Sequence, residues 1–496
     1  MFFRQILDPH LAQYAYLIGC QASGEALILD PQRDVDRYVD LAAAEGLRLV
    51  AAAETHIHAD FLSGTRELAE GHGARLYLSA EGGEAWTPRW VDPQRHDVTW
   101  LRDGDSFFLG KLEIRALHTP GHTPEHLSFL IIDHGGPSSD DAERPALGLA
   151  SGDFLFVGDL GRPDLLETAA GERGAMEPAA RDLFASVERL QALPDHLQIW
   201  PGHGAGSACG KALGAVPIST LGYERQVNPA LLDAQSGQST FVRNILQGQP
   251  EPPLYFARMK QLNRDDIPLL GELPNPPRLG TTELAAAAQD DEAVILDARQ
   301  DRQAFLRGHL PGALHTPWGK SFSTLVGSLV DPQRSLVLLI DDAHRESAIR
   351  DLVRIGYDRI VGWSPLGAIA IESTSESGQR SLQPLVSADF AALQRALGQN
   401  QKAGEDPAGG PDFEATVLDV RSAAEFSEGH LPGALNIAHT RLAAHGDELP
   451  PGPLWVHCRS GARATAAASW LAQRGREVTL VDDHFDSWRG PLAGDG

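Results

Sequence analysis

Only three cysteines, Cys20, Cys209 and Cys458, occur in 496 residues. Three thiols cannot build a disulfide framework, so the fold must rest on its apolar cores, and a reducing compartment fits. Positive charge is also short: 42 Lys and Arg face 67 Asp and Glu, a formal charge of −25. That deficit excludes nucleic acid or an anionic membrane surface as the main partner. No segment has the long uncharged apolar run of a transmembrane helix. The opening "MFFRQILDPH" meets Asp8 before any apolar stretch of secretory length, so no cleaved leader is expected, and a soluble cytoplasmic protein is. The length suits roughly two to four domains.

One internal repeat organises the second half. "GHLPGAL" stands at 308–314 and again at 429–435, about 120 residues on, a domain length rather than a solenoid period. An apolar strand ending in Asp-x-Arg precedes each copy, "AVILDAR" and then "TVLDVR". Strand-like runs ("LVLLI", "LWV", "RIV", "EVTLV") alternate with helical ones, which predicts two α/β domains with mostly parallel sheets. The Pro-rich 267–280 reads as a linker, 371–383 as the junction between copies, and 400–414 as a loop inside the second. The expected domains are 1–270, 271–375 and 376–496. The first holds an insertion-like loop at 133–145.

Within 1–270, imidazoles and carboxylates gather in short clusters that each follow an apolar run: His56, His58 and Asp60 in "THIHAD"; His118 and His122 in "HTPGHT"; Asp153 in "SGDF"; His203 in "PGHG". Gly, Pro and Thr wrap each cluster, which places these side chains on loops at one sheet edge. Imidazole and carboxylate are natural ligands for zinc or iron. One such histidine alone is more often a hydrogen-bonded structural residue; four clusters in this order make that reading improbable.

The order and wording of these clusters resemble the metallo-β-lactamase fold over roughly 1–270. The resemblance implies an αββα sandwich with a metal at one edge. Two-metal members such as glyoxalase II need a last histidine where this chain has Phe61, so a second ion is not expected. The branch it most resembles is the persulfide dioxygenases. That resemblance implies one Fe(II) per chain, held by His56, His122 and Asp153, with His58, Asp60 and His203 behind them orienting ligands or holding waters. "GDLGRPD" also resembles the branch. Arg162 within it is either a residue that orients substrate or a structural ion pair.

"VHCRSGARAT" puts Cys458 after a strand and at the head of a six-residue loop that leads into a helical run. The amides of such a loop converge at a helix N-terminus and stabilise an anion, and Arg459 and Arg463 add positive charge. A thiolate there can accept a sulfane sulfur and pass it on. With "VLDVRSAAEF" and "GHLPGALNI" this segment resembles a rhodanese sulfurtransferase, a resemblance under which Asp419 and Arg421 brace the domain. The first copy has no cysteine. It reads "LVLLIDDAHRES", with Asp341 or Asp342 expected where the thiol would stand, and is therefore expected to be catalytically dead, a spacer, docking surface or part of a substrate path. Cys209, in "PGHGAGSAC", is either a small loop residue or a thiol that relays sulfur near the metal; fused persulfide dioxygenase–sulfurtransferases carry a similar cysteine. Cys20 is expected to be packed.

Taken whole, the chain resembles those fused enzymes. The resemblance implies oxidation of a low-molecular-weight thiol persulfide by dioxygen to sulfite. Cys458 then transfers sulfane sulfur to that sulfite, giving thiosulfate, in the service of sulfide detoxification. A homo-oligomer is common among such relatives. The rival readings are a glyoxalase-II-like zinc thioester hydrolase with an appended sulfurtransferase, and a non-catalytic persulfide carrier or sensor using Cys209 and Cys458.

Overall fold

The computed structural model describes residues 1–136, 144–169, 171–367, 382–403 and 416–494. Most of the expected loop at 133–145, the junction at 371–383 and nearly all of the loop at 400–414 lie outside them. The chain divides into two compact units. The first is Met1–Leu273 with Val353–Gly356, and the second is Pro274–Leu352 with Tyr357–Gly496. No described helix is long and apolar enough to cross a membrane.

The first unit is a sandwich of two six-stranded mixed sheets. One sheet runs in chain order: β1 (Phe2–Asp8), β2 (Gln13–Cys20), β3 (Glu25–Leu29), β4 (Arg48–Ala53), β5 (Arg75–Ser79) and β6 (Val98–Leu101). The other contains β7 (Ser106–Leu109), β8 (Leu112–His118), β9 (Leu127–Asp133), β10 (Gly148–Gly152), β11 (Gln198–Pro201) and β12 (Ser219–Thr220), ordered β12-β11-β10-β9-β8-β7. The two-residue side-chain period makes the layers. On β2, Tyr16 and Ile18 enter the core between the sheets with Phe129, Ile131 and Trp200. Ala15 and Leu17 face the other way, onto a core with Tyr38 and Leu68 from the helices Asp36–Ala44 and Thr65–His72. Leu149 and Ile199 of the second sheet likewise pack on Leu183 and Phe241 from the helices Met176–Arg189 and Gln238–Leu246. The result is the expected αββα arrangement.

The second unit holds two parallel sheets, one per repeat copy. The first is β13 (Ala293–Asp297), β14 (Leu314–His315), β15 (Ser335–Leu339) and β16 (Ile360–Ser364). The second is β17 (Ser387–Ala388), β18 (Thr416–Asp419), β19 (Leu435–Asn436), β20 (Leu454–His457) and β21 (Val478–Val481).

The repeated letters now have a cause. Arg299 pairs with Asp297 at the end of β13 and donates to the Gly308 carbonyl; Arg421 pairs with Asp419 at the end of β18 and donates to the Gly429 carbonyl. Asp-x-Arg therefore ties each strand to its own "GHLPGAL". His309 and His430 each bond the carbonyl four residues back and stack on Phe305 and Phe426. "LPGA" is a turn closed by Ala313 N–H to the Leu310 carbonyl and by Ala434 N–H to that of Leu431. Gly312 and Gly433 sit at φ 75° and 77°, where the turn demands glycine.

Phe129 is fully buried between the two sheets of the first unit. Truncation to alanine is expected to cost about 3–5 kcal/mol, because the surrounding strands cannot collapse into the void. Denaturant unfolding of the first unit checks this.

Candidate metal centre and sulfur site

Four strands of the first unit end at the same place. His56, His58 and Asp60 follow β4, His122 follows β8, Asp153 follows β10 and His203 follows β11. All six side chains are buried. The sandwich brings three of them close: His56, His122 and Asp153 each offer one ligand atom, all within 4.8 Å of one another. His56 Nε2 is 3.9 Å and His122 Nε2 3.6 Å from Asp153 Oδ2.

The ring tautomers follow from the partners. His122 Nδ1 is 3.2 Å from the Arg162 carbonyl, which can only accept, so Nδ1 carries the proton. Thr55 Oγ1 donates its one proton to Asp30 Oδ2 and so accepts from His56 Nδ1 at 2.9 Å. Both rings are left with a bare Nε2 facing Asp153. Among the described residues no N–H or O–H donates to either Asp153 oxygen; the Cys209 thiol lies beside it, and burial, followed by the nearby Asp60, pushes that carboxyl well above its ordinary range. A buried carboxylate between two bare imidazole nitrogens lacks a counter-charge, and one divalent cation supplies it. The three residues fit a single metal ion with open positions.

The neighbouring residues form two further groups. Asp60, His203 and Cys209 also come within 4.8 Å of one another, as do Asp30, Glu54 and His58. His203 lies between two carboxylates, 3.1 Å from Asp60 and 3.5 Å from Asp153, and burial draws it down to about 3. Burial lifts Asp60 to about 7. His58 is buried too, but Asp30 at 3.2 Å and Glu54 at 3.0 Å hold it well above its ordinary value. Phe61 is fully buried and stacks on His58. Cys209 is buried beside Asp153; burial, then Asp60 and Asp153, push its thiol up, so it stays protonated until a nearby cation offsets those charges.

Arg162 is wholly buried. Its guanidinium binds both oxygens of Asp164 and the carbonyls of Ala208 and Pro250, which braces the loop carrying Cys209. His118 bonds the Pro124 carbonyl. Cys20 packs in the intersheet core, accepting from the Lys111 amide. Sequence reasoning missed His126, whose Nε2 takes the Asp153 amide, and Asp30, which holds Thr55 and His58. His126 was visible in "HTPEH", and Asp30 ends the strand-like "EALILD", but nothing in either string pointed inward.

In the second unit Cys458 follows β20, and its sulfur accepts from the Ala464 amide at 3.4 Å in the first turn of the helix Ala462–Gln473. Arg463 forms a two-point ion pair with Glu425 at 2.6 and 2.8 Å; Glu425, and to a lesser degree Cys458, hold it charged. Arg459 is exposed at the loop's outer side.

The first copy departs from expectation. Asp297 pairs with Leu339 as Asp419 pairs with His457, so Ile340 occupies the place of Cys458, not Asp341 or Asp342. The helix Asp342–Arg354 starts after two residues where the second copy has four, which leaves no room for the amide cradle. Ile340 is an apolar plug rather than a repelling charge. The copy does reach its neighbour: Arg302 lies against Gly461 of the Cys458 loop and pairs with Asp482.

Residues 9–136 match the metallo-β-lactamase superfamily, and 281–363 and 401–490 match the rhodanese-like domain. A solved metallo-β-lactamase from Staphylococcus aureus is 39% identical, with a TM-score of 0.64, covering 74% of this chain and 99% of that one. The mitochondrial persulfide dioxygenase ETHE1 of Bos taurus is 28% identical over 47% of this chain and 76% of its own. The hydroxyacylglutathione hydrolase of Gloeobacter violaceus is 28% identical over 38% of this chain and 63% of its own.

A Cβ on Gly161 would overlap the Asp153 carbonyl oxygen. Gly161→Ala is therefore expected to lower bound metal by about ten-fold, read by elemental analysis of the folded chain. Glu425 sits at about 2 rather than 4.5, through Arg463 first. Its depressed value stabilises the fold fully above pH 4.5, and that contribution fades as pH falls through about 2. The stability advantage over Glu425→Gln is expected to be constant above pH 4.5 and to shrink below it, read by thermal unfolding across that range.

Proposed function

The chain belongs to the metallo-β-lactamase superfamily and carries two rhodanese-like domains, and from that premise we propose that it oxidises a low-molecular-weight thiol persulfide to sulfite and converts sulfite to thiosulfate. The observation that carries the first step is the compact trio of His56, His122 and Asp153. Two imidazoles and one carboxylate with open positions are the donor set of non-haem Fe(II) oxygenases, and Fe(II) bound there supplies redox chemistry with dioxygen. The persulfide dioxygenase relatives support the same reading.

The chain's own residues bind, orient and shield. A small cavity of about 30 Å³ lies beside His56 and His58, walled by Trp86, Pro88 and Trp90. Its apolar wall suits a sulfur substrate and excludes water. Thr55 and the Arg162 carbonyl fix the two imidazoles in the tautomers described, and His126 fixes the Asp153 backbone. In balance, RSSH, dioxygen and water give RSH, sulfite and two protons.

Cys458 carries the second step. Its thiolate attacks the outer sulfur of another persulfide, breaking that S–S bond and releasing the thiolate RS⁻. The sulfur lone pair of sulfite then attacks the outer sulfur of the Cys458 persulfide, releasing thiosulfate and restoring the thiolate. The loop amides and Arg459 draw the sulfite anion to Cys458. Tethering both reactions in one chain raises the effective concentration of sulfite at Cys458. Cys209 lies beside Asp153, which supports a role in holding a sulfur atom near the metal.

One observation favours the hydrolase reading: Asp60, His203 and Cys209 could hold a second ion. A single experiment separates the two. The purified chain is expected to carry about one iron and to consume oxygen only with persulfide. Cys458→Ser is expected to consume oxygen at the same rate while releasing sulfite in place of thiosulfate. Two zinc ions with thioester hydrolysis, or unchanged products from Cys458→Ser, would overturn the reading.

A further inference from the structure

The helix Tyr255–Asp265 sends a lysine into the wall of the first unit. Lys260 is only 8% exposed, and its ammonium lies 4.1 Å from the ring centroid of Trp86. Among the described residues it makes no hydrogen bond and no ion pair. An ammonium has three donors, and those of Lys260 face a cleft with the Trp86 ring beside them, which leaves them free for a ligand. Burial draws it down to about 8, against the pull of Glu125 and Glu172, so it remains largely charged at pH 7. One Glu125 oxygen is already taken by the Ile57 amide. Arg264, one turn on, is bound to Asp265.

The surroundings give this cation a direction. Lys260 lines a cleft with Ile57, Trp86, Glu172, Gln261 and Arg264, and Ile57 and Trp86 also line the cavity that reaches His56. A substrate with its sulfur at His56 and its far end at Lys260 would lie along Ile57 and Trp86, which both spaces share. An aromatic face beside a largely buried cation is complementary to a small molecule with an apolar stem and an anionic terminus.

We propose that Lys260 is the anchor for an anionic group, carboxylate or phosphate, on the thiol that carries the persulfide, and so selects anionic thiol persulfides over neutral ones. The selection rests on the persulfide reading above; the anion site itself does not.

The test uses unreactive thioethers and the full metal-loaded chain, by equilibrium titration. S-methylglutathione presents carboxylates, S-methylphosphopantetheine a phosphate, and S-methyl-2-mercaptoethanol no charge. In the unaltered chain at least one anionic thioether is expected to bind about ten-fold more tightly than the neutral one, and the tighter of the two identifies the anion. Lys260→Met is expected to remove that preference without changing the neutral thioether, and Lys260→Arg to restore most of it. Equal affinities in the unaltered chain overturn the proposal without any variant. So does a preference that survives Lys260→Met, or a parallel loss of the neutral thioether, which would mark a merely structural lysine. Oxygen uptake on the matching persulfides is read alongside. Charge-selective binding without oxygen uptake keeps the Lys260 anchor and removes the dioxygenase reading; oxygen uptake with charge-blind binding does the reverse.

Discussion

The metal edge turns on the burial of Asp153. Its side chain is 1% exposed, no N–H or O–H among the described residues donates to it, and its neighbours are the imidazoles of His56, His122 and His203 with the Cys209 thiol. A carboxylate in that position either takes up a proton or meets a cation. The local structure favours the cation. Thr55 and the Arg162 carbonyl spend the Nδ1 protons of His56 and His122 elsewhere, His126 grips the Asp153 amide, and Gly161 permits the chain to pass against its carbonyl. None of these supports touches substrate, yet each sets the direction of a donor atom.

The same economy shapes the two rhodanese-like copies. Both contain the Asp-x-Arg tie, the histidine stacked on phenylalanine and the glycine turn, and each tie joins a strand end to the next segment. What differs is the step from strand to helix. Two extra residues and a cysteine separate strand from helix in one copy, where the Ala464 amide reaches Cys458; Ile340 and an immediate helix close the other. The closed copy still contributes, since Arg302 lies on Gly461 of its neighbour's loop.

Much of this was legible in the letters. The strands that carry the repeat, the alternation of β2 and the clustering of donors at strand ends all follow from local periodicity, which a single sequence displays directly. One expectation missed the structure and one choice stayed open, each for a definite reason. The position equivalent to Cys458 is set by strand register, and a one-residue slip of "LVLLIDD" moves an aspartate into a place that Ile340 holds. Arg162 could be weighed only as substrate contact or brace, because its partners Ala208 and Pro250 come from far along the chain.

The sequence by itself determined the fold class, the repeat and the list of chemically able residues, since these depend on side-chain identity and on spacing along the strand. Tertiary structure alone decided which of those residues meet. It set His56, His122 and Asp153 around one point, placed Cys209 with Asp60 and His203, turned Arg162 into a brace and left Lys260 buried against Trp86 with no hydrogen bond or ion pair among the described residues. The physical reason is that charge and hydrogen bonding act over a few ångströms in space, and residues a hundred positions apart become neighbours only when the sheets close.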